Sequence, residues 1–415
     1  MSSVVQAVSN LIPSSGKARA LAKHDNDVVI VSAVRSAITK SKKGLFKDTR
    51  PEEILSGVLR AAYTNIGLDP SLIEDVTVGN VLPPGGGANA ARMAGFHAGI
   101  PVTTPVVTIN RQCSSGLAAV NTIAAHIISG QIDIGIGSGV ESMTFGYNAA
   151  ANPDGFSEEV LSNQLAADCL IPMGITSENV ANEYGISRDV QDAFAASSFQ
   201  KAAKAQKEGR FVPEITPITA PWIDPKTDKE SKIVVDYDDG VRDGVTKESL
   251  SKLKPAFAKN GTTHAGNASQ VSDGAAAVIL ARRSVAQRLG LPILGKFIGA
   301  TAVGVPPRIM GVGPLYAIPK VLEKNGLKKE DIDFFEINEA FASQAVYVVR
   351  ELGIDVNKVN VWGGAIAIGH PLGSTGARQI VTGLNIAKQT GGKIFVTSMC
   401  IGSGMGMAAV FVSEQ

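Results

Sequence analysis

The stretch EDVTVGN, residues 74–80, decides the fold, because it returns as EDIDFFEIN at 330–338. Each copy is an acidic pair, a β-branched or aromatic run, and an asparagine. The residues downstream of each copy also repeat. Cys113 lies 38 positions after Asp75, and His370 lies 39 after Asp331. Each heads a run of small residues with helical character, GLAAVNTIAAHIISG (116–130) or GARQIVTGLNIAKQTGG (376–392). Each run leads to a glycine-flanked apolar stretch, IDIGIGSG or KIFVTSMCIGSG. Continuous β-branched runs bounded by glycine suit strands buried on both faces of a sheet. The reading is an α/β protein made of two similar halves.

Composition agrees. The 415 residues are too many for one ordinary core, and 44% hydrophobic against 19% charged allows a large one. A net charge of +1 gives no field for nucleic acid, so no nucleic-acid partner is expected. No long apolar run predicts a membrane span. Cys113, Cys169 and Cys400 are far apart with no CxxC spacing, which argues against a disulfide framework and against a metal site. Cys169, in AADCLIPMG, reads as structural.

The chain divides by texture. Residues 1–25 read as a tail or targeting segment. The first half takes 26–145 plus 261–292, and the second takes 293–415. Between them, 146–260 holds the charge clusters and a helix that starts after Ser187 and stops at Gly209. WIDPKTDKESKIVVDYDDG (222–240) reads as an exposed hairpin. Lys201, Lys204 and Lys207 read as a solvated helix face.

Cys113 stands in VVTINRQCSSGLAAV (106–120), a strand, a turn and a helix start. Free N–H groups and the dipole there favour a thiolate, able to lower a cysteine pKa from about 8.5 to roughly 3.5–7.5. His370 occupies the matching turn of the other half, in GGAIAIGHPLGSTGAR (363–378), with Pro371 as the expected first helical residue. A histidine beside a cysteine can take its proton. Cys400 enters the loop CIGSGMG, whose N–H groups could face an oxyanion. Asn338 closes a strand before INEAFA continues, where a helix N-cap is the plainer reading. Glycines 135, 137 and 139 lack the third position of a dinucleotide fingerprint.

Together NRQCSSG, GVESM, AGNASQVSDGAAA, INEAFA, GGAIAIGHPLGSTGAR and CIGSGMG resemble the thiolases, the acetyl-CoA acyltransferases. LIPMGITSEN and GVPPRIMGVGP look like the peroxisomal 3-ketoacyl-CoA branch, especially that of fungi. The resemblance implies two βαβαβαββ halves in five α-β-α-β-α layers, with 146–260 as a loop domain covering coenzyme A. It implies a dimer or tetramer, acyl-CoA and coenzyme A as substrates, and no permanently bound cofactor. Cys113 would be the acylated nucleophile, His370 its base and Cys400 the second acid/base. Asn338 would hold a water in one oxyanion hole, and the N–H groups of Cys113 and Gly402 would form the other. Arg242, Ser249 and Ser269 would contact coenzyme A, with Phe257, Ala265 and Ala340 along its pantetheine arm. The implied reaction is thiolysis of 3-ketoacyl-CoA in β-oxidation; the alternative is a biosynthetic acetoacetyl-CoA thiolase. The body of the chain points to the peroxisome. The register SVVQAVSNL (3–11) keeps only Val4 and Leu11 of the signal expected there, which leaves mitochondrion and cytosol open. Trp362 in NVWGG departs from the family, and with it the acyl pocket or dimer contacts are expected to differ.

Overall fold

The computed structural model describes residues 15–147 and 155–415. The targeting register at 3–11 lies outside them. Half one runs β1 (Val28–Arg35), α1 (Pro51–Thr64), β2 (Asp75–Gly79), α2 (Ala88–Ala98), β3 (Val106–Ile109), α3 (Ser115–Ile128) and β4 (Ile134–Ser142). A long insert comes next, with α4 (Met173–Glu183), α5 (Arg188–Lys207), β5 (Ile218–Ile223) and β6 (Glu230–Val235). Half one then closes with β7 (Ser272–Arg282). Half two runs β8 (Gly295–Gly304), α6 (Gly313–Lys324), β9 (Phe334–Ile337), α7 (Ala342–Leu352), α8 (Leu372–Thr390), β10 (Ile394–Ile401) and β11 (Met405–Ser413). A single parallel bridge, Phe335 to Val359, stands where half one has β3.

The strand order is β3-β2-β4-β7-β1 in half one and β9-β10-β11-β8 in half two. The pairs β2·β3, β2·β4 and β9·β10 are parallel, and the rest are antiparallel. The βαβαβαββ order expected from the resemblance is complete in half one, and half two follows it with its third strand reduced to that bridge. The two sheets meet at β1 and β8 through Val29↔Lys296 and Ile30↔Gly295 alone.

The register between the halves differs from the one read in the sequence. Glu74 Oε2 accepts the N–H groups of Asp133 and Ile134. Asp333 Oδ2 accepts those of Lys393 and Ile394. Glu74 therefore matches Asp333, not Glu330. By the same count Thr77 matches Glu336 and Gly79 matches Asn338. The acidic pairs misled because the second copy spends its first residues on a 3-10 turn, Lys329–Asp331, before its strand begins.

Alternation along each strand builds the layers. Val29 and Val31 face a core with Ile54, Leu55, Val58 and Ala91 of α1 and α2. Val28 and Ile30 face the opposite way, into a core shared with Leu117 and Val120 of α3 and Ile380 and Leu384 of α8. Half two adds Phe395, Met399, Ala409 and Phe411 to that inner core. Its outer face packs Phe335, Ile337, Val396 and Val410 on Ala317, Val321 and Val348 of α6 and α7. Outer helices, sheet, the α3–α8 pair, sheet and outer helices make five layers.

The insert begins α5 on the Ser187 cap, whose Oγ accepts the Val190 N–H, and leaves it through Gly209 at φ +70°. The expected hairpin is β5 and β6, paired Ile218↔Val235 to Ile223↔Glu230. Arg35 ties the insert down. Its Nε donates to Glu214 at 2.6 Å, and its Nη atoms to Asp238 at 2.7 and 2.8 Å. Glu214 also accepts from Thr382 and Asn385 of α8. All three charged groups are buried, so the pairing offsets a large desolvation cost, and removing one partner would leave a buried charge. Lys201 does not lie on a solvated face, contrary to the sequence pattern: its ammonium donates to the carbonyls of Val356 and Val359. Cys169 is exposed, not structural, and its Sγ lies 3.4 Å from the Leu165 carbonyl. Trp362 packs edge-on to Phe211 at 5.9 Å in the inner core. No helix among the described residues is long and apolar enough to cross a membrane, and no cluster there could hold a metal ion.

Candidate active site

Two helices meet at the centre through glycine. A Cβ on Gly116 of α3 would come within 2.7 Å of the Gly373 carbonyl oxygen, and one on Gly376 of α8 within 2.3 Å of the Leu117 nitrogen. Only residues without a side chain allow this approach, and it brings the N-terminal ends of α3 and α8 together. Cys113 precedes one and His370 the other.

The Cys113 turn is tightly determined. Gln112 adopts φ +49°, a left-handed conformation that costs a residue with a side chain about 1 kcal/mol. Asn110 Oδ1 accepts the Gln112 N–H at 2.9 Å, and Ser115 Oγ accepts the Arg111 N–H at 2.9 Å while donating to the Gln112 carbonyl at 2.6 Å. Cys113 lies two residues before the first helical residue, Ser115. The backbone N–H groups of Gly402 and of Cys113 itself lie near its sulfur and favour the thiolate.

The expected depression of the Cys113 pKa is not what the structure gives. Burial pushes the thiol up to about 11, the two N–H groups oppose it, and the nearby Glu141 carboxylate pushes it further up. Desolvation outweighs the helix end, so the resting group is a thiol. Cys400 is wholly buried on β10, and its thiol is also raised, by burial first and then by neighbouring Cys113. The two sulfurs therefore share one site. Ala268, Met310, Ala340 and Phe341 pack around Cys400 as a small apolar cluster.

His370 is fixed at three points. Its N–H donates to the Gln270 carbonyl at 3.1 Å. Its Nδ1 lies 2.6 Å from Thr375 Oγ1, whose hydroxyl donates to the Pro371 carbonyl at 3.2 Å. That assigns the ring proton to Nδ1 and leaves Nε2 as acceptor, 3.3 Å from Asn338 Nδ2. Burial, and then the Arg378 charge, push the His370 pKa down to about 3, so the ring is neutral at rest. Pro371 is the N-cap of α8, not its first residue. Asn338 caps no helix: α7 starts at Ala342 after Phe341. Its Oδ1 is buried with no protein partner, as a group aimed at a bound molecule would be.

The residues expected along coenzyme A fall in two groups. The Ser269 N–H donates to the Ala340 carbonyl at 2.9 Å, and Phe257 meets Phe341 edge-on at 6.4 Å, which gathers them beside the Cys400 cluster. Arg242 is exposed, with its guanidinium over the Phe199 ring at 5.4 Å. The acids around it are used elsewhere: Asp238 on Arg35, Asp239 on the N–H groups of Lys40 and Leu45, and Asp243 on that of Gly244. Exposed Ser249 closes a capping box with Thr246 at the start of the Lys247–Ser251 helix. Ala265 is exposed. Sequence reasoning assigned nothing to Glu141, Thr375 or Gln270. A buried acid inside GVESM was the one signal available for Glu141.

Glycines 135, 137 and 139 hold no dinucleotide. A Cβ on Gly137 would lie 2.5 Å from the Val120 Cα, and one on Gly139 2.1 Å from the Gly373 oxygen. They let α3 and α8 sit close to β4.

Known proteins agree with this geometry. The thiolase N-terminal domain family matches residues 28–284 and the thiolase C-terminal domain family matches 291–413. The chain is 57% identical over 403 residues to the peroxisomal 3-ketoacyl-CoA thiolase of Yarrowia lipolytica, covering 97% of each chain. The dimeric peroxisomal thiolase of Saccharomyces cerevisiae superposes with a TM-score of 0.89 at 56% identity, covering 95% of this chain and 100% of that one. A second structure of the yeast peroxisomal 3-ketoacyl-CoA thiolase, at 49% identity and a TM-score of 0.78, covers 95% of this chain and 100% of its own. It is described as five layered and built from two core domains of identical topology. This chain belongs to the thiolase family.

Proposed function

We propose that this chain is a 3-ketoacyl-CoA thiolase of fatty-acid β-oxidation, acting in the peroxisome. It cleaves 3-ketoacyl-CoA with coenzyme A into acetyl-CoA and a shortened acyl-CoA. The observation that carries the reading is the shared Cys113–Cys400 site near two backbone N–H groups, with a neutral, oriented His370 ahead of the helix that meets the Cys113 helix. His370 Nε2 takes the Cys113 proton, and the thiolate attacks the 3-keto carbon. The C2–C3 bond breaks, leaving the acyl group on Cys113, and the acetyl-CoA enolate receives the Cys400 proton. Coenzyme A then gives its thiol proton to Cys400 and takes the acyl group from Cys113, which recovers its proton from His370. The N–H groups of Cys113 and Gly402 serve one oxyanion, and His370 with an Asn338-held water serves the other.

Coenzyme A enters as a substrate, and this scheme uses no permanently bound cofactor. Arg242, free of its acidic neighbours, would meet a phosphate or the adenine. Ser249 would serve the nucleotide end, and Ser269, Phe257, Ala265 and Ala340 the pantetheine arm under the 146–260 loop domain. The assembly is a homodimer. Strand β3 is an edge, with Val107 46% exposed, and Met93 and Phe96 of the adjoining α2 are exposed too, so a second copy would cover the open ladder and apolar side chains.

Acid-quenched mass spectrometry after incubation with acetyl-CoA tests the roles. Added acetyl mass is expected on wild type and on Cys400→Ala, and none on Cys113→Ala. Turnover of Cys400→Ala should fall about 10²–10⁴-fold. Label on Cys400 in the Cys113→Ala protein would reverse the assignment. Thiolysis rates over a chain-length series separate the acetoacetyl-CoA alternative, since activity confined to acetoacetyl-CoA would establish it.

A further inference from the structure

Helix α8 has no cap of its own. Pro371 offers no side-chain acceptor to the first turn that carries His370 in. The acceptor comes from the other half. Glu141, near the end of β4 and wholly buried, accepts the Gly373 N–H at 3.0 Å. The same carboxylate accepts the N–H groups of Val81 at 3.0 Å and Leu82 at 3.1 Å. The contact runs on to the nucleophile. The Val81 carbonyl accepts from Asn110 Nδ2 at 3.2 Å, and Asn110 Oδ1 accepts the Gln112 N–H of the Cys113 turn. One carboxylate thus touches the backbone that orients the base and the backbone that orients the nucleophile.

Three N–H donors and a helix N-terminus favour a charged carboxylate. Burial opposes them and places its pKa at about 7. The titratable groups around it are Cys113, Asp273 on the neighbouring strand β7, and His370 three residues before Gly373. Asp273 is itself held by Ser142 and by the Thr144 N–H and hydroxyl. Its charge adds, after burial, to what disfavours a Cys113 thiolate.

We propose that Glu141 is a positioning residue that caps the His370 helix across the boundary between the halves, anchors the Cys113 turn, and sets a negative charge near that turn. The inference rests on the roles proposed above for Cys113 and His370. Its consequence is that loss of Glu141 disturbs the base and the nucleophile together.

The test is the rate of Cys113 alkylation by iodoacetamide across neutral and alkaline pH, read on the Cys113 peptide by mass spectrometry so that Cys169 and Cys400 do not contribute. No acyl substrate is involved, so the result is separate from the acetyl-labelling test of the reaction. Glu141→Gln keeps the shape and removes the charge. Its half-point should fall by about one pH unit, or roughly tenfold more thiolate at a fixed pH. Glu141→Asp keeps the charge and shortens the reach. Its half-point should stay near wild type while kcat, more than KM, falls by about 10²-fold. A folded Glu141→Gln with an unmoved or raised half-point overturns the proposal, as does Glu141→Asp behaving like Glu141→Gln. If neither variant folds, Asn110→Ala decides, because it cuts the link from the Glu141-held Val81 to the Cys113 turn: a changed Cys113 alkylation rate with kcat falling more than KM supports the proposal, and an unchanged rate and kcat reject it.

Discussion

The inner faces of the two halves occupy matching positions and are built in opposite ways. In half one, β2 and β4 present Thr77, Gly79, Gly135 and Gly137 to α3 and Gly139 to the start of α8, and the helices sit almost on the backbone. In half two, the matching faces of β9 and β10 carry Glu336, Asn338, Phe395 and Thr397 towards α8. There Arg378 Nη1 meets Glu336 at 3.2 Å, both about 1% exposed. Half one spends this layer on proximity, which fixes the thiol turn. Half two spends it on polar groups, which set the electrostatics around His370. A duplicated topology has been given two tasks by exchanging glycine for charge.

The largest effect that would break this comparison is at Arg378. Arg378→Met should destabilise the protein by about 2–3 kcal/mol at neutral pH, because it leaves the Glu336 carboxyl buried, protonated and without its partner. Denaturant unfolding should show the loss growing above pH 7, where wild-type Glu336 is ionised against Arg378. The same pair gives a pH signature. Burial raises Glu336 from 4.5 to about 7, although Arg378 pulls it down. The native state therefore holds a proton that the unfolded state has released, and this group's contribution falls as pH rises from 4.5 to 7. Relative to wild type, Glu336→Gln should gain about 2–3 kcal/mol between those limits; a constant difference would mean that the carboxylate is ionised throughout.

Gly79→Ala tests the other half. Its Cβ would lie 2.3 Å from the Ser115 carbonyl carbon, so the start of α3 must move. About 2 kcal/mol of lost stability is expected, with a fall in acetyl labelling of Cys113. Full labelling would mean that the turn tolerates displacement and that proximity is not what half one supplies. The smallest effect sharpens the register. Glu74→Ala and Asp333→Ala each remove a carboxylate that accepts two N–H groups at the start of a matching strand. Each should cost about 1–2 kcal/mol, and the two costs should agree within about 0.5 kcal/mol. A large disparity would argue that the two clamps are not equivalents.

The features legible in the sequence were those that local patterns impose. Strands buried on both faces read as β-branched runs, Ser187 and Gly209 mark a helix, and the reactive side chains sit in glycine-rich turns. The thiolase motifs added the identities of the site residues. What failed depended on contacts distant in the chain. The sign of the Cys113 shift is set by burial and by Glu141, neither visible in RQCSSG. Lys201 looked solvated because its carbonyl partners come from Val356 and Val359. Glycines 135, 137 and 139 read only as part of an apolar strand, with no sign that they serve a helix that precedes them in sequence and another more than two hundred residues away. The register between the halves was misread because identical acidic pairs do different work, Glu74 in a clamp and Glu330 in a turn.

Strand β7 sits between β1 and β4 in the sheet but arrives only at Ser272–Arg282. Its counterpart β11 comes after β10 with only the three residues Gly402 to Gly404 between them. During synthesis, half one must wait with an open central slot while the whole insert emerges, whereas half two closes on a tight turn as soon as its last strand appears. The entropy of closing the longer loop is modest, growing by only about 0.6 kcal/mol per doubling of length. The delay matters more in time than in energy. Until residue 282 has left the ribosome, β1 and β4 expose unpaired edges, and the nascent chain is at its most vulnerable to pairing with a neighbour.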